Sequence, residues 1–219
     1  ESLKQEQSKY RILLCGGDTT FSNKLSFSIT TVGYSNDIIY RNKAIYNDDI
    51  YVTGNLGDSF IGLQILKNKI KVQKKIKEYF VNKYYHPDIQ IKLTKTLFRY
   101  TNTSIDISDG LIADLEKMIN KQNLCYVLNI DDVPISRNLL NLIKIKKLNK
   151  SNLISQGDDY QILFTASPTK ARIINLTSKN LGVKITKIGK ITSVNKKSII
   201  IDQKGKQILI KNKGYTHQF

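Results

Sequence analysis

Two carboxylates and a hydroxyl lie close together in the segment Thr103–Leu115, at Asp106, Ser108 and Asp109. Isoleucines alternate with polar residues up to Ser108, which predicts the end of a strand, and leucines at helical spacing follow Gly110. We therefore expect the carboxylates at the carboxyl edge of a sheet, beside a helix N-terminus whose unpaired N–H groups attract anions. The pattern favours a site for a metal ion and a phosphate.

The simpler interpretation of the same residues is that Ser108 or Asp109 only caps the helix. A lone Ser-Asp-Gly sequence more often has that structural role. Asp106 is the reason to favour a site, because it precedes both candidate caps and capping does not require it. Carboxylate oxygens are the ligands that Mg²⁺ prefers.

Two further segments combine glycine with acidic residues. Gly16 and Gly17 follow a predicted buried strand, 11–15, and precede Asp18 and two threonines. Paired glycines allow close approach to a phosphate, and Asp18 offers oxygens to Mg²⁺, although a plain turn explains the same residues. The second segment, Gly157–Tyr160, carries another acidic pair and runs into a predicted strand.

The remaining pattern predicts a mixed α/β (α+β) fold. Strands are predicted at 25–31, 50–53, 125–130 and 185–191, and helices at 89–100 and 168–181. We expect Ser136 to cap a helix, Asp58 or Ser59 to cap another, and the segment 67–77 to form a helix with a lysine face in solvent. The simplest role for Asp48 and Asp49 is in a turn.

The formal charge of +17 and the pI of about 9.7 raise the question of nucleic-acid binding. Nearly all of the positive charge is lysine, spread from Lys4 to Lys213, whereas phosphate-reading proteins concentrate arginine and interleave aromatic residues. We therefore expect no nucleic-acid partner. No apolar run reaches membrane-spanning length, and Cys15 and Cys125 lie in apolar runs that predict buried thiols. These features predict a cytoplasmic protein without a membrane partner.

Four motifs in order resemble those of the thiamine-monophosphate kinase family, within the aminoimidazole-ribotide-synthetase-like (PurM/AIRS-like) superfamily. The sharpest is Ser-Ile-Asp-Ile-Ser-Asp-Gly-Leu at 104–111, and the others are 16–20, 48–59 and 157–160. The resemblance implies a two-domain kinase fold in which residues 1–57 are the remainder of a truncated N-terminal ATP-binding and dimerisation domain. Residues 58–219 would be a complete C-terminal α/β domain.

The resemblance also implies the activity and the site. The family uses ATP and Mg²⁺ to phosphorylate thiamine monophosphate, and its full-length members are implied to be homodimers. Carried over residue by residue, the Mg²⁺ ligands would be Asp18, Asp106 and Asp109, the ATP-binding residues Gly17, Asp18, Arg41 and Ser108, and the substrate-binding residues Asp158 and Tyr215. Transfer would be direct and in line, so no nucleophilic side chain is expected.

The chain departs from the family pattern in three places. The family reads Gly-Gly-Glu-Asp-Tyr-Glu where this chain has Gln156–Gln161, Thr216 and Gln218 disturb the tail motif, and the upstream segment that carries further aspartates is missing. One alternative is therefore a truncated or decayed member that keeps the fold without catalysis. Another is a sister kinase or synthetase of the superfamily that acts on a different small metabolite.

Overall fold

In the computed structural model, residues 2–193 and 197–215 are described. They divide into two compact units between Asn36 and Asp37. Among the described residues, no helix combines the length and the apolarity that crossing a bilayer requires.

The first unit contains one helix, α1 (Ser2–Tyr10), which buries no residue. No strand is formed between Arg11 and Asn36. The strands predicted at 11–15 and 25–31 are therefore wrong, and Cys15, predicted to be buried, is exposed. The alternation of apolar residues is present, but a strand is stable only when a neighbouring strand satisfies its backbone, and the described residues provide none here.

The second unit is built on a six-stranded sheet with the order β2-β4-β1-β5-β3-β6. The neighbouring pairs are antiparallel except for β3 and β6, which are parallel. The strands are β1 (Asp49–Thr53), β2 (Thr103–Asp106), β3 (Leu124–Asn129), β4 (Ile162–Ala166), β5 (Ile185–Ser193) and β6 (Ile199–Ile201). The sheet confirms a mixed α/β fold.

Seven helices accompany the sheet in the described part of this unit. They are α2 (Asp58–Leu66), α3 (Lys74–Tyr85), α4 (Ile91–Leu97), α5 (Leu111–Met118), α6 (Arg137–Lys146), α7 (Lys150–Ile154) and α8 (Ala171–Leu181). A 3₁₀ turn, Pro168–Lys170, precedes α8. The helix predicted across 67–77 is wrong for residues 67–73, because α2 stops at Leu66 and Asn68 adopts a left-handed conformation (φ 57°) that breaks the helix. Residues 74–77 are helical, as the first turn of α3.

Successive side chains along a strand point to opposite faces of the sheet, and each face packs against its own hydrophobic core. Ile50 and Val52 of β1 point to the core that contains α5, whereas Tyr51 points to the opposite core, which contains α4 and α8. Tyr51 stacks on Phe164 of β4 at 5.3 Å between ring centroids. A third cluster joins α2, α3, α6 and α7. Helices on both faces therefore bury the central strands.

The boundary between the compact units differs in position from the predicted domain boundary at 57/58. Strand β1 precedes the predicted boundary at 57/58 in sequence, yet it lies in the sheet of the second unit, between β4 and β5. The assignment of residues 1–57 to an ATP-binding and dimerisation domain stays a prediction.

Candidate functional site

The register of the sheet brings two of the predicted motifs together. β2 pairs antiparallel with β4, and Asp106 at the end of β2 lies opposite Ile162 at the start of β4. The pairing continues beyond the strands, because Ile107 donates to the carbonyl of Gln161 and Tyr160 donates to the carbonyl of Ile107, both at 2.9 Å. The loop after β2 therefore adjoins the loop before β4.

The strand does end where the sequence predicts, and α5 begins after Gly110, but no side chain of Ser108 or Asp109 caps the helix. Asp114, in the first turn of α5, instead reaches back to the loop that precedes the helix. One of its oxygens, Oδ2, accepts from the backbone N–H groups of Ser108 (3.0 Å), Asp109 (2.9 Å) and Gly110 (3.1 Å). The carboxylate of Asp114 therefore fixes the loop that leads into α5.

Asp109 is paired with a lysine. The Lys117 ammonium contacts Asp109 Oδ2 and also lies 3.0 Å from Asp114 Oδ1. Burial lowers the pKa of Lys117, but the bonds to the two carboxylates outweigh that effect and the pKa is raised. Lys117 is thus held as a cation between Asp109 and Asp114.

The loop before β4 packs backbone against backbone on the loop after β2. Asp158 donates its N–H to the carbonyl of Ser108 at 3.0 Å. A Cβ on Gly157 would lie 1.8 Å from Ser108 O, and a Cβ on Gly110 would lie 2.1 Å from Ser155 O, so both positions require glycine. Burial and the neighbouring charge of Asp109 raise the pKa of the Asp158 carboxyl.

The end of the described chain reaches the same loop. Tyr215 donates its N–H to the carbonyl of Asp109 at 2.8 Å, and Ala113 of α5 donates to the carbonyl of Lys213 at 2.9 Å. The Tyr215 side chain is 62 % exposed and lines an open groove of about 680 Å³ together with Asp109 and Lys117. Residues 216 and 218, which disturb the tail motif, lie outside the described residues.

Tyr160 is a residue of this site that the sequence analysis does not single out. It is 44 % exposed and has a left-handed backbone (φ 50°), as does Asp158 (φ 68°). Burial raises the pKa of its hydroxyl, and the charges of Asp158, Asp106 and Asp109 raise it further. Strained backbone of this kind is common at functional sites. The Tyr in the motif at 157–160 was visible in the sequence, but its conformation was not.

Asp159, between these two strained residues, points the other way into the protein. Its carboxylate is 4 % exposed and accepts from the backbone N–H of Gly57 at 2.7 Å and of Ser59 at 3.4 Å, at the start of α2. Burial raises its pKa to about 8, even though the Gly57 N–H acts in the opposite direction. Asp159 thus caps α2, although 102 residues separate it from Gly57 in sequence.

Two aspartates predicted to lie in a cap or a turn, Asp58 and Asp49, have other roles in the structure, whereas the predicted turn role of Asp48 is confirmed. Asp58 does not cap α2, because it accepts from Ser136 Oγ (2.7 Å) and Tyr79 OH (2.8 Å). Asp48 closes a turn with Ile45, because its N–H donates to Ile45 O at 3.0 Å and its Oδ2 accepts from Ile45 N at 2.9 Å, and the same carboxylate accepts from the side chains of Asn102 and Thr165. Asp49 lies in β1, paired with Lys187. Ser136 is confirmed as the cap of α6, with its Oγ 3.0 Å from Leu139 N.

The predicted ATP-binding residues are distributed over both units. Gly17 and Asp18 lie in the first unit, where the Asp18 carboxylate accepts from Thr19 N at 2.7 Å. Arg41 lies in the second unit beside Asn42, whose N–H bonds Met118 O at the far end of α5. The eight residues of α5 separate that end from Asp109 by about 12 Å. Of these residues, only Ser108 lies in the loop that carries Asp109.

The chemistry of the loop residues suits Mg²⁺, although the metal site is not assembled from protein groups alone. Within the described ranges, no three His, Cys, Asp or Glu side chains lie in an arrangement that could hold a metal ion. Mg²⁺ is commonly bound by one or two carboxylates while it keeps several waters and takes phosphate oxygens from the substrate. Asp106 and Asp109 fit that mode of binding, and Asp18 stays a predicted ligand.

Comparison with known proteins finds relatives that share one name. No family model matches the chain. A protein of Buchnera aphidicola subsp. Schizaphis graminum, named thiamine-monophosphate kinase, is 36% identical over 214 residues, which cover 96% of this chain and 65% of that protein. The Escherichia coli K12 protein of the same name is 30% identical, over 99% of this chain and 67% of its own length. The chain thus spans about two thirds of the length of these relatives.

A solved structure gives a similar result for the fold. The structure named "AaThiL complexed with AMPPCP and TMP" superposes with a TM-score of 0.66 at 24% identity and covers 81% of this chain and 54% of that chain. At this identity the likeness concerns the fold.

Proposed function

The chain belongs to the thiamine-monophosphate kinase family, and we propose that the protein transfers the γ-phosphoryl group of ATP to thiamine monophosphate to give thiamine diphosphate. The observation that carries the proposal is the convergence of three motifs on Ser108 and Asp109. The loop 106–110, the loop 157–160 and the segment 213–215 are joined there by backbone hydrogen bonds. Residues predicted for metal, nucleotide and substrate thus share one loop junction.

The relatives support the choice of substrates. Two relatives carry the name thiamine-monophosphate kinase, and the AaThiL structure is named as a complex with AMPPCP and TMP. ATP as the donor and thiamine monophosphate as the acceptor are therefore part of our proposal for this protein, together with a homodimer. A cytoplasmic location is proposed as well, because free cysteines such as Cys15 and Cys125 persist in a reducing compartment.

In the proposed mechanism the protein positions its substrates and supplies no nucleophile. Phosphoryl transfer depends mainly on in-line alignment and on neutralisation of phosphate charge. Mg²⁺ bound by Asp106 and Asp109 would supply that neutralisation. Asp158, Tyr215 and Ser108 would hold the acceptor and the nucleotide around the same junction.

The proposal is tested by product formation. The protein, expressed from its full reading frame, is incubated with ATP, Mg²⁺ and thiamine monophosphate, and thiamine diphosphate is quantified by chromatography. Parallel reactions offer unphosphorylated thiamine and nucleoside monophosphates as acceptors. Turnover restricted to thiamine monophosphate is expected. Turnover of another acceptor, with none of thiamine monophosphate, would replace the proposal by a sister activity.

A further inference from the structure

We propose that Asp114 is a positioning residue of this site. It holds the backbone of Asp109 in place for divalent-cation binding through three backbone amides, and it shares the Lys117 ammonium that would otherwise pair with Asp109 alone. The inference rests on the proposed function only in taking Asp109 as a cation ligand. Asp114 itself is 1 % exposed, so it acts through Asp109 and not by contact with a substrate.

Asp114 binds the backbone of the loop that carries Asp109. Three successive N–H groups, from Ser108 to Gly110, converge on the single oxygen Oδ2 at 2.9 to 3.1 Å. Hydrogen bonds to a charged acceptor are about twice as strong as neutral ones. Gly110 has a φ of 125°, which only glycine adopts readily. The backbone on both sides of the Asp109 Cα is therefore fixed by one buried carboxylate.

Asp114 also affects the side chain of Asp109, because the two carboxylates share one lysine. The other oxygen of Asp114, Oδ1, lies 3.0 Å from Lys117 Nζ, and the same ammonium contacts Asp109 Oδ2. Asp114 thus shares Lys117 with Asp109. Without Asp114, the ammonium would pair with Asp109 alone, and a divalent cation would have to displace a more strongly held competitor.

A helix cap alone would not need this geometry. The helix α2 is capped by Asp159, which accepts from the amides of Gly57 and Ser59 and contacts no lysine in the described structure. At α5 the Asp114 carboxylate instead bonds the loop before the helix, including the N–H of the predicted ligand Asp109, and shares the lysine that pairs with that ligand. Partners that orient metal ligands in this way commonly contribute about 10- to 100-fold to metal affinity.

The experiment measures Mn²⁺ binding, with Mn²⁺ as an oxygen-preferring probe, from the electron paramagnetic resonance signal of the free ion. The variants are Asp114→Ala, Asp114→Asn, Asp109→Asn and the double variant Asp109→Asn with Asp114→Ala. The matched control is Asp202→Ala, because Asp202 also accepts from two backbone amides, those of Lys204 and Lys206, at 2.9 Å in a turn beyond β6. Urea unfolding of each variant reports whether the protein stays folded.

We expect Asp114→Ala to weaken Mn²⁺ binding about 10- to 100-fold. Asp114→Asn keeps an oxygen acceptor for the amides, so its loss should be smaller. If Asp114 acts through Asp109, adding Asp114→Ala to Asp109→Asn should cause no further loss. Asp202→Ala should leave the affinity unchanged.

Three results would overturn the inference. They are unchanged affinity in Asp114→Ala, multiplicative losses in the double variant, and absence of Mn²⁺ binding by the unsubstituted protein. If Asp114→Ala fails to fold, Asp114→Asn takes its place, and its Mn²⁺ affinity is compared alone and in combination with Asp109→Asn. Failure of the kinase proposal gives a different pattern, since Mn²⁺ would still bind at Asp109 with the same dependence on Asp114 while no thiamine diphosphate forms.

Discussion

Replacing Asp159 with asparagine should change how the stability of the protein depends on pH. In the folded protein, burial raises the pKa of Asp159 to about 8, whereas the unfolded chain exposes this carboxyl to water, where its pKa is near 3.8. Between those values the folded protein holds a proton that the unfolded chain has lost. The free energy of unfolding must therefore fall as pH rises from about 4 to about 8.

The magnitude follows from the pKa difference. Each unit corresponds to about 1.4 kcal/mol, so the three units between about pH 5 and about pH 8 amount to about 4 kcal/mol. Domains of this kind are typically stable by only about 5–15 kcal/mol, so the change is large. Asparagine has nearly the shape of the protonated acid and keeps an oxygen for the Gly57 N–H. Asparagine cannot titrate, so the free energy of unfolding of the variant does not fall with pH for this reason.

Urea unfolding, followed by circular dichroism at about pH 5 and about pH 8, measures the effect. The quantity of interest is the stability of Asp159→Asn minus that of the unsubstituted protein, because the contributions of other groups cancel. We expect this difference to grow with pH. Asp132→Asn, at an exposed carboxylate, is the control and should give a constant difference.

Two results would refute this reasoning. A difference that stays constant with pH would mean that Asp159 titrates alike in the folded and unfolded states. A difference that decreases with pH would mean that the α2 amides stabilise the carboxylate more than burial destabilises it, since the sign of the linkage would then be reversed.

Two further substitutions test the loop junction. Gly157→Ala should destabilise the protein by about 1–3 kcal/mol in thermal unfolding, because its Cβ would lie 1.8 Å from Ser108 O, whereas Gly33→Ala meets no atom within 4 Å and should have little effect. Equal effects would contradict the packing of the two loops. Lys117→Met should tighten Mn²⁺ binding by up to about fivefold, because it removes the ammonium that competes for Asp109. Weaker binding would show that Lys117 supports the site rather than competing with the cation.

Local patterns predicted some elements of this fold correctly. The strand that ends at Asp106 and the helix that follows Gly110 were predictable because alternation and helical spacing are properties of adjacent residues. Ser136 as a cap was predictable for the same reason, since it bonds the amide of Leu139 three residues later.

The contacts that complete the site could not be predicted in this way. Asp58 has the sequence context of a cap, yet Asp159 caps α2 because the chain brings that carboxylate from the loop before β4. Asp114 was visible as an acidic residue in a first helical turn, but only the folded loop shows that it binds three amides at once. Both assignments depend on tertiary packing, which overrides local preference.

The proposed kinase site is tested most directly by the initial rate of thiamine diphosphate formation at saturating Mg²⁺ in Asp106→Asn, measured beside Asp132→Asn. Asp106 lies at the loop junction, whereas Asp132 is an exposed carboxylate in the loop between β3 and α6. The account predicts that Asp106→Asn loses most of the rate per enzyme while Asp132→Asn retains it. An unchanged rate in Asp106→Asn would contradict the assignment of this loop as the cation site of a phosphoryl transferase.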